Sequence, residues 1–215
     1  MVDPAPSGTD DALSVRLETS MRKPSLLLFL LAALPAWSGE VGILLDKQVG
    51  KAQAALGFST QKYDAVSPTG QGFRIGMDVL DLKVAALQMN ATWHNRTSSD
   101  LSYGGARLGD LENQYWAAGA TVNWKLLVNF GAGVEYRSEK ITYRPTVGAG
   151  ADATLLRPWA KVNFGFSIPT PVVSPFILLE LAAPLSRRDS TSTPKDFAEA
   201  MAPQMQVGLY GGIRF

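Results

Sequence analysis

Cysteine is absent from all 215 residues, and this excludes disulfide scaffolds, thiol catalysis, cysteine-ligated zinc and a lipid-modified cysteine. Charge is also scarce, because charged residues make up 18% of the chain and hydrophobic residues 46%. Soluble proteins are usually about 25% charged. The net charge of +1 comes from scattered side chains rather than from a basic block, so we expect no nucleic-acid partner. The composition favours a membrane environment.

Long apolar runs are missing as well. The longest covers residues 26–35, well short of the roughly 20 residues that a membrane-spanning helix requires. Two basic residues precede this run and small residues ending at Ser38 follow it, which is the order of a secretory signal peptide. We therefore predict a cleaved signal peptide over residues 21–38, the alternative being a buried helix of a soluble protein. We expect the polar residues 1–20 to be an over-extended start or an expression remnant.

Beyond the signal peptide, apolar residues recur at every second position, the pattern of a β-strand with one apolar and one polar face. The alternation predicts eight strands, at residues 40–47, 72–79, 82–94, 113–124, 127–137, 155–166, 175–183 and 205–215. Several run for about ten residues, the length of a tilted strand that crosses a membrane. Since Pro158 carries no N–H, we expect the sixth strand to pair fully only beyond it.

The connections between predicted strands alternate between short turns and long polar loops. Two connections have two residues, whereas four have 17 or more. Such alternation is typical of outer-membrane barrels, which place short turns in the periplasm and long loops outside. We therefore predict an all-β fold, an eight-stranded antiparallel up-and-down transmembrane β-barrel, over residues 39–215.

The polar face is rich in glycine, which is typical of a crowded interior rather than a solvated exterior. Its charged side chains are expected to form an ion-pair network in the lumen, because buried charges must be paired. The predicted network comprises Asp46, Arg74, Asp78, Glu135, Arg137, Arg157, Lys161, Glu180 and Arg214. A gated ion path is the alternative for these residues. Eight strands leave an interior that side chains fill, so no open pore is expected in this porin-like architecture.

Aromatic residues on the apolar face lie towards the strand ends, as in the belts at membrane interfaces. The predicted girdle comprises Trp93, Trp116, Trp124, Tyr136, Phe164, Phe166 and Phe215. Trp159 falls on the polar face and does not fit the girdle. If the apolar face pointed inward instead, the protein would be a periplasmic, lipocalin-like carrier of an apolar ligand.

These features resemble the small eight-stranded outer-membrane proteins of the OmpA/OmpX type, without the peptidoglycan-binding domain of longer relatives. The C-terminal residues resemble the signal that the outer-membrane assembly machinery recognises: Val207, Leu209, Gly211, Ile213 and Phe215. The resemblance implies the outer membrane of a Gram-negative cell envelope as the location. It also implies contacts with outer-membrane lipids, lipopolysaccharide and the assembly machinery.

The sequence predicts no enzyme, cofactor or metal site. His94, the single histidine, is expected to be a satisfied histidine at the barrel rim, and the alternative is a catalytic residue of an outer-leaflet lipid-modifying enzyme. Asp100, Asp110 and Glu112 lack the compact ligand loop of a calcium site and are expected to be solvated loop charges. Arg187 and Arg188 are candidates for contacts with lipopolysaccharide phosphates. We predict a structural, adhesive or interaction role through four outer loops, with an unknown extracellular ligand.

Overall fold

The computed structural model describes residues 38–49, 52–54, 61–65, 69–82, 84–186 and 201–215. The upstream segment and the predicted signal peptide up to Trp37 lie outside the described residues, as do Arg187 and Arg188. Within the described part, the chain forms ten strands: β1 (Gly39–Val49), β2 (Ala52–Ala54), β3 (Gln61–Ala65), β4 (Thr69–Asp81), β5 (Ala85–Tyr103), β6 (Ala106–Lys125), β7 (Val128–Pro145), β8 (Ala151–Ser167), β9 (Ser174–Pro184) and β10 (Met205–Arg214). No helix in these ranges is long and apolar enough to cross a membrane.

Eight of these strands close into an antiparallel barrel, in the order β1, β4, β5, β6, β7, β8, β9, β10 and back to β1. The other two lie in the first long connection, where β2 pairs with β3 and β3 pairs with β5. The seam between first and last strands ends where Gly39 and Phe215 exchange two backbone hydrogen bonds of 3.0 and 3.1 Å. The predicted eight-stranded up-and-down barrel is confirmed.

Two of the predicted long loops are wrong, because the strands continue through them. β5 runs to Tyr103 and β6 starts at Ala106, so Gly104 and Gly105 alone turn the chain, with φ angles of 57° and 82°. β7 and β8 likewise leave only residues 146–150 between them. A bulge between His94 and Thr97 in β5 moves the inward positions from even to odd residue numbers, which interrupts the alternation.

The continuations of β5–β8 form an outer sheet, residues 95–103, 106–114, 140–145 and 151–154, and β3 pairs with the free edge of β5 at Ser102. In these segments β5 has lost its β4 partner and β8 has no β9 partner. Leu101, Leu111 and Ile141 line the inner surface of the outer sheet, where Met201 and Ala202 pack against them. The outer sheet therefore has its own small apolar core.

Pro158 affects only one side of β8. Its carbonyl accepts a hydrogen bond from Leu185, so its nitrogen also faces β9. Pairing with β9 begins at Trp159, immediately after the proline, whereas pairing with β7 continues past it to Ala151. The expectation of incomplete pairing before Pro158 is confirmed for β9 and wrong for β7.

The apolar face of the barrel points outward. Leu209 and Phe164 are 49% and 52% exposed, whereas Arg74 and Lys161 are each 2% exposed. This polarity is the reverse of a soluble barrel, which buries its apolar face. The lipocalin-like alternative, with its apolar side chains inside, is therefore wrong.

Candidate functional site: the barrel lumen

Opposite charges meet across the lumen. Arg74 on β4 donates two hydrogen bonds to Glu180 on β9, of 2.5 and 2.8 Å, and a third of 2.8 Å to Thr92. Glu135 accepts hydrogen bonds from Arg137 at 2.6 Å and from Lys161 at 2.8 Å. Both clusters are almost completely buried. They satisfy the requirement that buried charges be paired and hydrogen-bonded.

The remaining predicted lumen charges also have partners. Arg157 donates to Glu139 at 2.5 Å and Arg214 donates to Glu40 at 2.9 Å, while Lys125 donates to Asp78. Asp46 lies beside His94. All nine predicted residues therefore enter ion pairs or hydrogen bonds inside the barrel, and the pattern missed Glu40, Lys125 and Glu139.

Aromatic rings and guanidinium groups form a stack across the lumen. The rings of His94 and Tyr115 are parallel to within 9°, with centroids 4.5 Å apart. The guanidinium of Arg137 lies between the rings of Tyr115 and Trp159, 4.4 and 3.9 Å from their centroids. The guanidinium of Arg157 lies 4.9 Å from the centroid of the Trp159 ring. We call these five residues the lumen stack. The lumen stack accounts for the inward position of Trp159, which does not fit the aromatic girdle.

His94 is completely buried, so the prediction of a rim histidine is wrong. Its Nε2 lies 2.9 Å from Asp46 Oδ1, and Gln206 donates both to Asp46 and to the hydroxyl of Tyr115. A Cβ on Gly70 would lie 2.5 Å from Asp46 Oδ1 and from the His94 ring, so only glycine fits there without displacing the pair. A histidine enclosed in this way cannot reach a lipid in the outer leaflet, which argues against the lipid-modifying alternative.

A small apolar cluster occupies the lumen nearer the chain termini. It comprises Leu44, Phe176, Leu178 and Tyr210. The guanidinium of Arg74 lies 4.7 Å from the ring centroid of Tyr210. The guanidinium of Arg214 lies 4.6 Å from the ring centroid of Phe176. These four apolar side chains interrupt the polar faces of three different strands in the sequence, and the structure brings them together.

The predicted girdle residues lie on the outer face at two levels. Trp93 packs against Trp116 with ring centroids 6.2 Å apart, on the side of the long loops. Phe164 and Phe166 pack together at 6.1 Å on the side of the short turns, and Trp124 packs against Phe130. Tyr136 is exposed on β7, level with Ala118. Phe215 follows β10, whose outward residues Val207, Leu209, Gly211 and Ile213 border the closing seam.

Six charged residues of the outer sheet form ion pairs with one another. Arg107 contacts Asp100 at 3.1 Å and Asp110 at 2.6 Å, and the hydrogen bond to Asp110 raises the pKa of Arg107 above its usual value. Glu112 contacts Arg96 and Arg144. The three acidic residues predicted as loop charges therefore lie on paired strands and form ion pairs there.

Outer-membrane and bacterial surface proteins are among the solved structures to which the chain is similar. Ail, the attachment invasion locus protein of Yersinia pestis, is 12% identical, with 83% of this chain and 97% of Ail covered and a TM-score of 0.45. Neisserial surface protein A is 14% identical over 83% of this chain and 95% of that protein, with a TM-score of 0.47. A major outer membrane protein from Thermus thermophilus is 13% identical over 81% and 99%, with a TM-score of 0.45. No family model and no curated protein matches the chain.

The strand bounds explain why the sequence pattern missed some of the lumen residues. Glu139 lies beyond the predicted end of its strand, and Lys125 falls in a predicted turn. His94 was placed at a strand end because the predicted strand stopped there, whereas β5 continues for nine further residues, to Tyr103. One feature of the sequence does indicate an inward position for His94. Tyr115, an aromatic residue on a polar face, lies directly opposite His94.

Proposed function

We propose that the protein is an outer-membrane β-barrel of a Gram-negative cell envelope, with a closed lumen. The observation that carries this proposal is the reversed polarity of the barrel, apolar outside and charged inside. Water would leave the apolar outer face unburied, whereas a bilayer covers a band about 25 Å tall. Trp93 and Trp116, the outer pair of the aromatic girdle, then lie at the headgroup level, where such rings are favoured.

The orientation follows from the connections. Outer-membrane barrels have short periplasmic turns and longer extracellular loops, so the end with Gly39 and Phe215 faces the periplasm. The outer sheet then projects from the cell together with the long connections. Lipids and lipopolysaccharide surround the barrel in this proposal, and the assembly machinery recognises the outward residues of β10.

The lumen acts as a scaffold rather than a channel. Ion pairs, the lumen stack and the apolar cluster fill successive levels of the interior, as an eight-stranded barrel requires. A role in structure, adhesion or interaction therefore belongs to the outer surface. The outer sheet is suited to this role, because its own core and ion pairs hold an extended surface well clear of the membrane.

Membrane fractionation combined with a heat-modifiability gel tests the barrel. We expect the protein in the outer-membrane fraction, with an unboiled band that migrates differently from the boiled one. Val134→Arg places a charge on the lipid face and should cost about 2–4 kcal/mol, which lowers the yield of the unboiled form. Ser98→Arg, on the outward face of the outer sheet, is the matched control. A protein that is soluble in the periplasm and shows no shift would contradict the proposal.

Shortening the β5–β6 hairpin tests the interaction role. Two glycines in place of residues 98–112 would keep the pair Thr97 and Asn113 and remove the tip of the outer sheet. We expect cells that carry this variant to adhere less to surfaces and to other cells, while the heat-dependent shift remains. Gly104→Asn is the control, since asparagine tolerates the left-handed conformation. Equal adhesion of the two variants would refute the role of the outer sheet.

A further inference from the structure

Three short turns close the periplasmic end of the barrel, between β4 and β5, β6 and β7, and β8 and β9. We call them the inner turns. They carry aliphatic side chains that are between 56% and 80% exposed: Leu82, Val84, Leu126, Leu127, Ile168 and Val172. Turns in water normally consist of polar residues, glycine and proline, so this concentration of exposed apolar surface needs an apolar neighbour.

The two ends of the outer apolar face differ. Towards the long loops, polar outward residues such as Lys47, Gln71, Gln114 and Ser138 interrupt it within the strands. Towards the inner turns, the outward positions stay apolar to the last residue of the strand, as with Trp124 on β6 and Val128 on β7. The apolar surface is therefore mixed with polar residues towards the long loops, whereas its described outward residues stay apolar into the inner turns.

The height of the apolar band includes the inner turns. From Tyr136 to Val128 the outward face of β7 covers eight residue steps, or roughly 20 Å at about 3.3 Å per residue and a tilt near 40°. Two further residues, to Leu126, bring the height to roughly 25 Å, which is the height of the usual lipid-facing band. Without its turns, the barrel is too short to match the hydrocarbon layer.

Several backbone groups of the inner turns are already hydrogen-bonded. Lys125 N–H donates to Val84 C=O at 2.9 Å, and Ser167 N–H donates to Leu127 C=O at 3.2 Å, so neighbouring turns are linked. The third turn contains two prolines, Pro169 and Pro171, which have no N–H to satisfy. Lipid tolerates backbone only when its polar groups have internal partners, and these contacts provide them.

In the described part of this end, the charged side chains pair with one another at the mouth of the lumen. Lys125 donates to Asp78 and contacts Asp81 at 3.3 Å, and the side chain of Lys125 is 16% exposed. These groups close the mouth of the lumen from within. On the described residues, the outer surface of the inner turns consists of aliphatic side chains, two prolines and Thr170.

We infer that the inner turns enter the inner leaflet, so that the barrel ends in lipid at its periplasmic side while the outer sheet stands clear of the membrane. The occupant of this apolar surface is phospholipid, because the surface is continuous with the lipid-facing band. This inference rests on the proposed outer-membrane location. It adds that the periplasmic end offers no polar platform to a soluble partner.

Site-specific fluorescence tests this inference, and the natural lack of cysteine makes labelling specific. Leu127→Cys, Val172→Cys and Leu82→Cys each receive a polarity-sensitive fluorophore in vesicles of phosphatidylethanolamine and phosphatidylglycerol. We expect nitroxide-labelled phospholipid to quench all three and iodide to leave them bright. Val134→Cys in the band and Ala106→Cys at the tip of the outer sheet are the lipid and water references. Each variant is first required to show the heat-dependent shift.

The references separate the two proposals. If Val134→Cys is quenched by nitroxide lipid while the three turn positions are quenched by iodide, the inner turns stand in water and this inference is overturned, whereas the membrane barrel remains. If Val134→Cys is itself quenched by iodide, the proposed location fails. Protection of the turn positions from iodide without quenching by nitroxide lipid would indicate a protein partner and would also overturn the inference.

Discussion

Arg74 and Glu180 form a doubly hydrogen-bonded ion pair inside the barrel, on side chains that are almost completely buried. Loss of one partner leaves the other charge buried and uncompensated, which typically costs about 3–5 kcal/mol. We therefore expect Arg74→Met to lower the free energy of unfolding by that amount. Urea titration of the protein folded in phospholipid vesicles measures this change.

A second substitution separates the free-energy cost of one unpaired buried charge from the net contribution of the ion pair to stability. The double variant Arg74→Met with Glu180→Leu removes both charges and should recover much of the loss, because apolar replacements of buried pairs are often neutral or stabilising. Arg107→Met breaks an exposed pair of the outer sheet and should leave the free energy of unfolding almost unchanged, because solvent screens exposed pairs. A double variant as unstable as Arg74→Met alone would contradict this account.

At the residue scale, the sequence predicts which face a side chain occupies but not its partner. The alternation correctly placed Arg74 and Glu180 inside, although they are 106 residues apart, because a period of two fixes the direction of every side chain in a strand. Their pairing across the lumen depends on how strands on opposite walls are staggered. Leu44 and Tyr210 also read as exceptions in their strands, and only the closed barrel shows that they meet.

The β5–β6 hairpin ends in a two-residue turn with both glycines at positive φ. A β-branched residue is strained in this conformation by about 1–2 kcal/mol. We expect Gly104→Val to open the tip of the outer sheet and leave the barrel intact. Hydrogen exchange should speed up in peptides that cover residues 100–110 and remain unchanged in peptides from β9 and β10.

Asparagine provides the matched control for that turn. Gly104→Asn should keep the protection of the wild-type hairpin, since asparagine adopts the left-handed region readily. Uniform loss of protection in β9 and β10 of the valine variant would show that the hairpin and the barrel unfold together, contrary to the separate core of the outer sheet.

At the element scale, prediction succeeded where one alternation ran unbroken and failed where the phase changed. All eight barrel strands were found, but the strands of the outer sheet were assigned to loops. The bulge near His94 shifts the inward positions of β5 from even to odd residue numbers, and the apolar side chains of the outer sheet point inward to its own core. An alternation followed in a single phase, with its apolar residues outward, therefore loses these strands.

For the whole molecule, the filled lumen predicts a barrel that does not conduct. Arg137 and Trp159 occupy the middle of the lumen stack, with the guanidinium 3.9 Å from the indole centroid. We expect no steady current from the wild-type protein in planar bilayers. The double variant Arg137→Gly with Trp159→Gly should produce discrete current steps, because it removes the two largest obstructions at that level.

The control for conduction lies on the other face of the same wall. Trp116→Gly removes an indole of similar size that points outward, and it should leave the bilayer without current. Steady conduction by the wild-type protein would revive the gated ion path and would contradict a scaffold lumen.

The global architecture was the part of the structure that the sequence predicted best. Strand count, closure and reversed polarity all follow from alternation together with the spacing of turns. The structural difference between the outer and inner ends of the barrel did not follow from the sequence pattern. It depends on how far each hairpin continues past the band, which is decided by a bulge and two glycines rather than by hydrophobicity.

The reciprocal hydrogen bonds between Gly39 and Phe215 place the first and last residues of the barrel side by side, so the barrel is suited to circular permutation. A short linker could join these ends, and new termini could be opened between Gly104 and Gly105. Every strand pair would be retained, but the last residue of the new chain would be glycine and Phe215 would become internal. Refolding of the permutant in detergent would then report the intrinsic stability of the barrel, and its yield in cells would report how far delivery to the membrane depends on an aromatic C-terminus.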